Sequence, residues 1–479
     1  MLKQSSLVVN SFFNVCYQLL NVLFPLITTA YVSRILMPDG IGKVAVAQNW
    51  VQYFVLFAAL GIPNYGIREI ARSRNTVTDL SKTFSELWIL NAFSTTASII
   101  LYIVSIFVTG RIYQNYPIYI VVGLSIVFNY MNIDWFYQGI EEYRYIAIRS
   151  FIIKFVSIIL IFLFINKKND FIYYALISSI AVGGNYLINW FHLSKTEIHL
   201  YIKSIHPFRH LRSIIIMFST IVSIQFYTLL ITTILGFFSS ESEVGFYSNS
   251  MKIVRMIVTV IAAISGTLLP RLSVFHQNGE DEKCTKVVNQ VLEILIFLFI
   301  PLCFGLFLLA KELILFFFGP LYISSVETLR IAALSIIPLG LSNLFGTQVL
   351  LTYKRERSLL YCTILGAVVC IVFCALFIPI WHANGAAFSS VISELVVCVS
   401  TYFAALHCLK ISIRMEILIK SIIASICMII CVHFIQIMSL PNFIVLFFSI
   451  LSGIFVYFIV SILLYNPILK TLISIVKKA

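Results

Sequence analysis

Long apolar runs separated by short polar stretches make up most of the chain. Runs of about 17–25 residues, the length a helix needs to cross a bilayer, recur roughly fourteen times, from Ser11 to Val32 at the start to Phe443 to Tyr465 near the end. The run Val326 to Thr352 contains Pro338 and Gly340, which predicts a kinked helix. Within the first run Asn10, Asn14, Gln18, Asn21, Pro25 and Thr28 step by four, four, three, four and three, which is helical spacing. They form one polar stripe on an otherwise apolar helix. An unpartnered amide in hydrocarbon costs on the order of several kcal/mol. The stripe therefore faces other helices, as interhelical hydrogen-bonding glue, or lines a water-filled cavity.

The pattern repeats. Leu26-Ile27-Thr28-Thr29 in the first run returns as Leu230-Ile231-Thr232-Thr233 in the seventh, and Gly40-Ile41-Gly42 aligns with Glu243-Val244-Gly245 after a one-residue gap. An offset of six spans leaves both copies in one orientation, so the halves are expected to be related by an axis along the membrane normal. The predicted fold is all-α and polytopic, with about 14 transmembrane helices: two six-helix lobes around a central cavity plus two extra C-terminal helices. The predicted boundaries are 1–190 for the first lobe, 191–212 for a basic cytoplasmic connector, 213–408 for the second lobe and 409–479 for two peripheral helices with a basic tail. That last pair is expected to face lipid and to bury almost no polar residue. In the connector His192, His199, His206 and His210 step by seven, seven and four. Pro207 interrupts the run and no Cys or carboxylate cluster accompanies it, so an interfacial amphipathic connector is expected there, and no metal site.

Composition sharpens the class: 60% hydrophobic and 11% charged residues are too apolar for a soluble domain. The first apolar run continues past signal-peptide length without a small-residue cleavage site, so it is expected to stay as the first span. Placing the N-terminus in the cytoplasm gathers most loop cations on one side, with Arg68, Arg72 and Arg74, Arg144 and Arg149, Arg209 and Arg212, and Lys354 to Arg357 all inside. That asymmetry predicts both termini cytoplasmic and accounts for much of the +13 net charge, so the charge gives no reason to expect nucleic acid. The ten cysteines sit mainly within spans and form no CxxC pair, which suits small core residues. No loop is long enough to fold alone, which argues against an enzyme such as a membrane polysaccharide polymerase.

Ionisable residues inside spans cost about 2.5–3.5 kcal/mol each near a helix centre, so each is a candidate site. Ser248, Lys252, Arg255 and Thr259 step by four, three and four on the eighth span. Under the repeat offset Asn49 and Gln52 hold the matching positions of the second. Lys154 lies within the fifth span and Arg34 at the outer end of the first. The available carboxylates are Asp134, Glu293 and Glu394, as ion-pair partners or as the residues that couple a cation. Lys252, Arg255, Lys154 and Arg34 outnumber them, and a cavity with cationic excess suits phosphate or pyrophosphate.

Tyr31-Val32-Ser33-Arg34-Ile35-Leu36-Met37-Pro38-Asp39-Gly40-Ile41-Gly42, then Gln48, Gln52-Tyr53 and Gly61-Ile62-Pro63-Asn64-Tyr65-Gly66-Ile67-Arg68-Glu69-Ile70-Ala71, resemble the N-terminal signature of Wzx-type O-antigen flippases. Those belong to the multidrug/oligosaccharidyl-lipid/polysaccharide exporter superfamily. The resemblance is specific over roughly the first seventy residues. It implies two six-helix lobes around a cavity that opens alternately to each side, with no cofactor and with a coupling ion, H+ or Na+. The implied substrate is an oligosaccharide on undecaprenyl pyrophosphate, moved from the cytoplasmic to the periplasmic leaflet of a bacterial inner membrane. Its implied partners are that lipid-linked oligosaccharide, bilayer lipids and other polysaccharide-assembly membrane proteins. In this scheme Arg255, Lys252, Lys154 and Arg34 hold pyrophosphate, the amide stripe with Asn49 and Gln52 meets the glycan, and Asp134, Glu293 and Glu394 are the coupling candidates. A multidrug cation exporter of the same superfamily is the rival, although Lys252 and Arg255 should repel a lipophilic cation.

Overall fold

In the computed structural model the chain is helical, with no strand among the described residues. The structure describes residues 7–74, 76–108, 116–194, 197–201, 205–266, 268–438 and 441–469; the side chains of Asn10, Asn14 and Gln18 and the basic tail beyond Leu469 lie outside the described residues. The helices are α1 (Leu7–Ala59), α2 (Ile62–Ser73), α3 (Val77–Val108), α4 (Tyr116–Phe128), α5 (Asp134–Gly139), α6 (Tyr143–Phe164), α7 (Phe171–Leu193) and α8 (Leu211–Phe238). After these come α9 (Glu241–Gly266), α10 (Leu268–Gln277), α11 (Asp281–Leu308), α12 (Ala310–Phe317), α13 (Ser325–Ala333), α14 (Ile336–Ser342), α15 (Glu356–Leu406), α16 (Met415–Ile437) and α17 (Asn442–Leu463).

Among the described residues eight helices are long and apolar enough to cross a membrane, or nine if Ser325–Ala333 and Ile336–Leu350, bent by 41°, form one span. Two of them, α1 and α15, are 53 and 51 residues long and each holds two apolar runs. Each is broken once. Met37 (φ 62°, ψ 174°) stands directly before Pro38, whose ring disfavours the helical conformation in the residue ahead of it. His382 (φ 48°, ψ −121°) breaks α15. The bend expected at Pro338 lies earlier, between α13 and α14, because Pro338 sits in the first turn of α14, where a missing N–H costs the helix nothing.

Contacts gather the chain into two compact units, Met1–Thr233 and Ile234–Ala479. In the first, α1 packs against α3, α4 and α6, and α2 packs against α5. The α2–α5 contact explains the Gly-Ile-Pro-Asn-Tyr-Gly segment. Gly61 caps α2 with φ 75°, and a Cβ there would meet the backbone of Phe218 at 2.9 Å. Pro63 occupies the first turn, and at Gly66 a Cβ would come within 2.7 Å of the Trp135 ring. Trp135 in turn stacks at a tilt against Phe84, centroids 5.6 Å apart, in an aromatic core shared with Phe136 and Tyr137. That core fixes the start of α5, and with it Asp134.

The connector departs from expectation. Its described residues between Leu193 and Pro207 are not helical, and only Pro207–His210 forms a 3-10 turn. Instead of bonding to each other, the N–H groups of His199, Tyr201 and His206 donate to Ser81 Oγ (3.3 Å), Ser85 Oγ (2.9 Å) and Glu86 Oε1 (2.9 Å) of α3. Arg209 Nη2 pairs with Glu86 Oε2 at 2.6 Å, and His210, buried, donates from Nε2 to the same oxygen at 2.8 Å. Tyr65 Oη closes the group at 2.7 Å from His210 Nδ1. The histidine spacing therefore marks no helical face.

In the second unit α11 packs against α13, α14 and α16, and α16 against α17. Tyr457 donates to the Phe297 carbonyl at 2.6 Å. The last pair does bury polar residues, contrary to the sequence expectation: Ser421, Ser425, Ser449 and Ser461 are all buried. Small hydroxyl residues let two helices approach closely in hydrocarbon, and the Ser425 hydroxyl bonds back to the Ser421 carbonyl of its own helix at 2.8 Å.

Candidate functional site

Three helices of the first unit each turn a polar face toward one cavity of about 340 Å³. From α1 come Tyr17, Asn21, Pro25 and Thr28; from α6, Arg149, Ser150, Lys154 and Ser157; from α7, Tyr174, Ser178, Asn185 and Tyr186. Steps of three, four or seven, with the adjacent pairs Arg149–Ser150 and Asn185–Tyr186, place these residues on one side of each helix. Asp134, at the start of α5, completes the wall.

Asp134 is engaged through one carboxylate oxygen. Its Oδ1 accepts from Arg149 Nη1 at 2.9 Å and from Asn189 Nδ2 at 2.5 Å. Arg149 also donates to Asn189 Oδ1, and its guanidinium lies 5.7 Å from the Tyr145 ring centre. The Arg149 side chain is 2% exposed and that of Asp134 21%. Charge is thus balanced at this end of the cavity. Lys154 is different: its Nζ donates to Asn21 Oδ1 and sits 5.8 Å from the Phe24 ring centre, and among the described residues no carboxylate is within ion-pair distance. The cavity keeps one uncompensated positive charge, ringed by amides and hydroxyls.

The structure therefore brings together Asn21, Thr28, Lys154 and Asp134 of the residues the sequence singled out. Others lie elsewhere. Asn49 spans to α8, donating to the Leu229 carbonyl at 3.1 Å and to Thr233 Oγ1 at 2.8 Å, which is helix-to-helix bonding. Gln52 and Arg34 are exposed and do not line this cavity. Lys252 and Arg255 belong to the second unit, both exposed on α9, where Thr259 Oγ1 bonds back to the Arg255 carbonyl at 2.7 Å. Glu293, buried, is paired with Arg414 at 3.0 Å rather than with Arg255. Glu394 is buried within α15.

Arg149 was expected in a cytoplasmic loop and is instead a buried residue of α6. The helix starts at Tyr143, ahead of the apolar run, so Arg149 is already about 9 Å along its axis at ~1.5 Å per residue. Tyr17, Asn185 and Tyr186 also went unnoticed in the sequence. For Asn185 and Tyr186 the signal is the one used on the first span, polar residues at helical steps, applied to α7.

Residues 7–276 match the family model described as polysaccharide biosynthesis protein. A protein that carries the name of an O-antigen transporter, from Escherichia coli (strain K12), is 26% identical over 361 residues, 71% of this chain and 82% of its own length. A second protein of that name, from Shigella dysenteriae, is 23% identical over 384 residues, 79% of this chain and 94% of its own. Among solved structures, the lipid II flippase MurJ in an inward closed conformation superposes with a TM-score of 0.73 at 16% identity, covering 96% of this chain and all of that one (100%). An inward-facing multidrug resistance MATE transporter of the MOP superfamily gives 0.65 at 13% identity, covering 81% of this chain and 94% of its own. At such identities the two structures show the fold alone, that of multi-span membrane transporters.

Proposed function

This chain belongs to the polysaccharide biosynthesis protein family, and from that premise we propose that it is a flippase. Its cargo is an O-antigen-type oligosaccharide on undecaprenyl pyrophosphate, carried from the cytoplasmic to the periplasmic leaflet of a bacterial inner membrane. One observation carries the proposal: the first unit's cavity holds Lys154 in excess of a balanced Asp134–Arg149 pair, among amides and hydroxyls. A site with one spare cation favours an anion, and its amides and hydroxyls offer the donors and acceptors that phosphate and sugar hydroxyls use.

In the proposed mechanism the pyrophosphate takes Lys154 Nζ from Asn21, and the freed Asn21 amide turns to the adjoining sugar. Lys252 and Arg255 are the anion contacts of the second unit, where Arg offers a fork and Lys a point charge. Transport proceeds by alternating access while the lipid tail stays in the bilayer. Fourteen spans, with α1 and α15 crossing twice each, complete the scheme. Coupling to H+ or Na+ through Asp134 requires Arg149 to release the carboxylate during the cycle. A lipophilic cation is a poor cargo, because Lys154 would repel it.

The test is a deletion strain complemented with variants. Deletion should leave lipid-linked repeat units on the cytoplasmic leaflet and strip the glycan from the cell surface. Lys154→Ala should lower surface glycan about tenfold, the weight of one charge-assisted hydrogen bond, at unchanged protein level in the membrane. Full surface glycan in the deletion strain, or drug accumulation as its only phenotype, overturns the proposal.

A further inference from the structure

The second unit holds a cavity that none of the residues assigned above touches. It measures about 530 Å³ and lies where α9 and α13 begin and α15 breaks. That volume is within the ~300–1,000 Å³ of small-molecule sites. Trp381 and His382 stand at the break, Asn384 just beyond it, Glu243 in the first turn of α9, and Glu327 and Thr328 in the first turns of α13.

The wall is held by hydrogen bonds among its own residues. His382 has φ 48°, a conformation a non-glycine residue keeps only where its surroundings fix it. Here they do: the Ala383 N–H donates to Glu243 Oε2 at 3.0 Å, Thr328 Oγ1 donates to Asn384 Oδ1 at 2.7 Å, and Ser239 Oγ lies 3.0 Å from His382 Nδ1. Trp381 is braced by Phe377 and Phe388, with ring centroids 5.1 and 5.9 Å away, yet 49% of it remains open.

We propose that this cavity binds a sugar unit of the transported glycan, an inference that rests on the flippase reading above. The open part of the Trp381 ring offers an apolar face for the C–H side of a pyranose, while its neighbours offer the polar partners. Glu243 keeps one carboxylate oxygen beyond the bond to Ala383, Glu327 keeps one beyond its 2.5 Å pair with Arg330, and Asn384 keeps its Nδ2 donor beyond the bond to Thr328. Two acceptors and a donor at one wall match vicinal hydroxyls, each of which can donate and accept. A metal cation fits less well. Arg330 already neutralises Glu327, and its guanidinium would oppose a second positive charge. With the N-terminus in the cytoplasm, α9 begins on the periplasmic side, so this pocket would meet the glycan on the side of release.

The test uses the full chain in lipid nanodiscs and the host's own repeat-unit oligosaccharide, freed of lipid and pyrophosphate by mild acid. Saturation-transfer NMR and calorimetry should detect binding to the wild type. Trp381→Ala should weaken it about tenfold, and Glu327→Gln, at an exposed position, by a factor of about 5, because the amide keeps an acceptor oxygen but loses the charge that strengthens the bond. Undiminished binding by both variants, no binding by the wild type, or calcium alone binding with loss in Glu243→Gln each overturns the assignment. The flipping assay of the deletion strain decides the flippase reading separately, since the freed glycan lacks the lipid and pyrophosphate on which that reading depends.

Discussion

Asp134 gives one oxygen to both Arg149 and Asn189, so its removal leaves a guanidinium that is 2% exposed without a counter-charge. Breaking a buried pair from one side costs about 3–5 kcal/mol, and the partial exposure of Asp134 reduces that. Asp134→Asn should therefore lower the thermal midpoint of the purified protein, read by fluorescence-detected size exclusion. The double variant Asp134→Asn/Arg149→Gln should recover part of the loss, because neither charge is then stranded. An unchanged midpoint in Asp134→Asn would remove the pair from the fold's support and leave Asp134 free for ion coupling. Part of this site could be read from the chain alone: Asn21, Thr28, Lys154 and Asp134 show as polar or charged residues in apolar runs, where each needs a partner. The partnerships could not be read, because they join residues far apart in sequence. Asp134 and Arg149 are 15 positions apart, and Asn189 lies 55 beyond Asp134. Glu293, similarly, found Arg414 and not Arg255.

At the scale of elements, backbone sterics account for the breaks, although the one kink expected from the sequence, at Pro338, fell earlier, between α13 and α14. The break at Met37 follows from Pro38, and the sharp entry to α2 from Gly61. The connector was not legible, because side chains from α3 supply the partners that its own N–H groups would otherwise find in a helix. Glu86 is the centre of that arrangement, holding the His206 N–H, Arg209 and His210 at once. Glu86→Ala should strand the His206 N–H and His210 and release the segment from α3. Limited trypsin digestion of the folded protein should then cut after Arg209 at a clearly faster rate than in the wild type, while the rate after Arg414 stays the same. Equal rates at Arg209 would mean that Ser81 and Ser85 alone hold the connector.

For the whole molecule, orientation depends on how many times the chain crosses, and two elements decide the parity. The helix α4 has 13 residues, about 20 Å at ~1.5 Å per residue, against a hydrocarbon core of about 30 Å, and the 3-10 turn Asn129–Met131 lengthens it only slightly. The helix α8 has 28 residues, Leu211–Phe238, about 42 Å at ~1.5 Å per residue, which is long enough to cross on its own. If both cross, and α1 crosses once on each side of Met37, a chain that starts in the cytoplasm reaches the outside at Lys168, returns inside by Arg209 and is outside again at Ser240. The cations support this count. Arg68, Arg72 and Arg74, and then Arg209 and Arg212, all fall on the inner side, where basic loops are retained. Reporter fusions should therefore read periplasmic after Lys168, cytoplasmic after Arg209 and periplasmic after Ser240. Each element has its own failure signature. A cytoplasmic signal at Lys168 would show that α4 does not cross, and it would carry Arg209 to the outside. A cytoplasmic signal at Ser240 with the other two as expected would place the fault in α8 alone. That outcome would turn α9 over, move Lys252 and Arg255 toward the opposite leaflet, and put the Trp381 pocket on the cytoplasmic side.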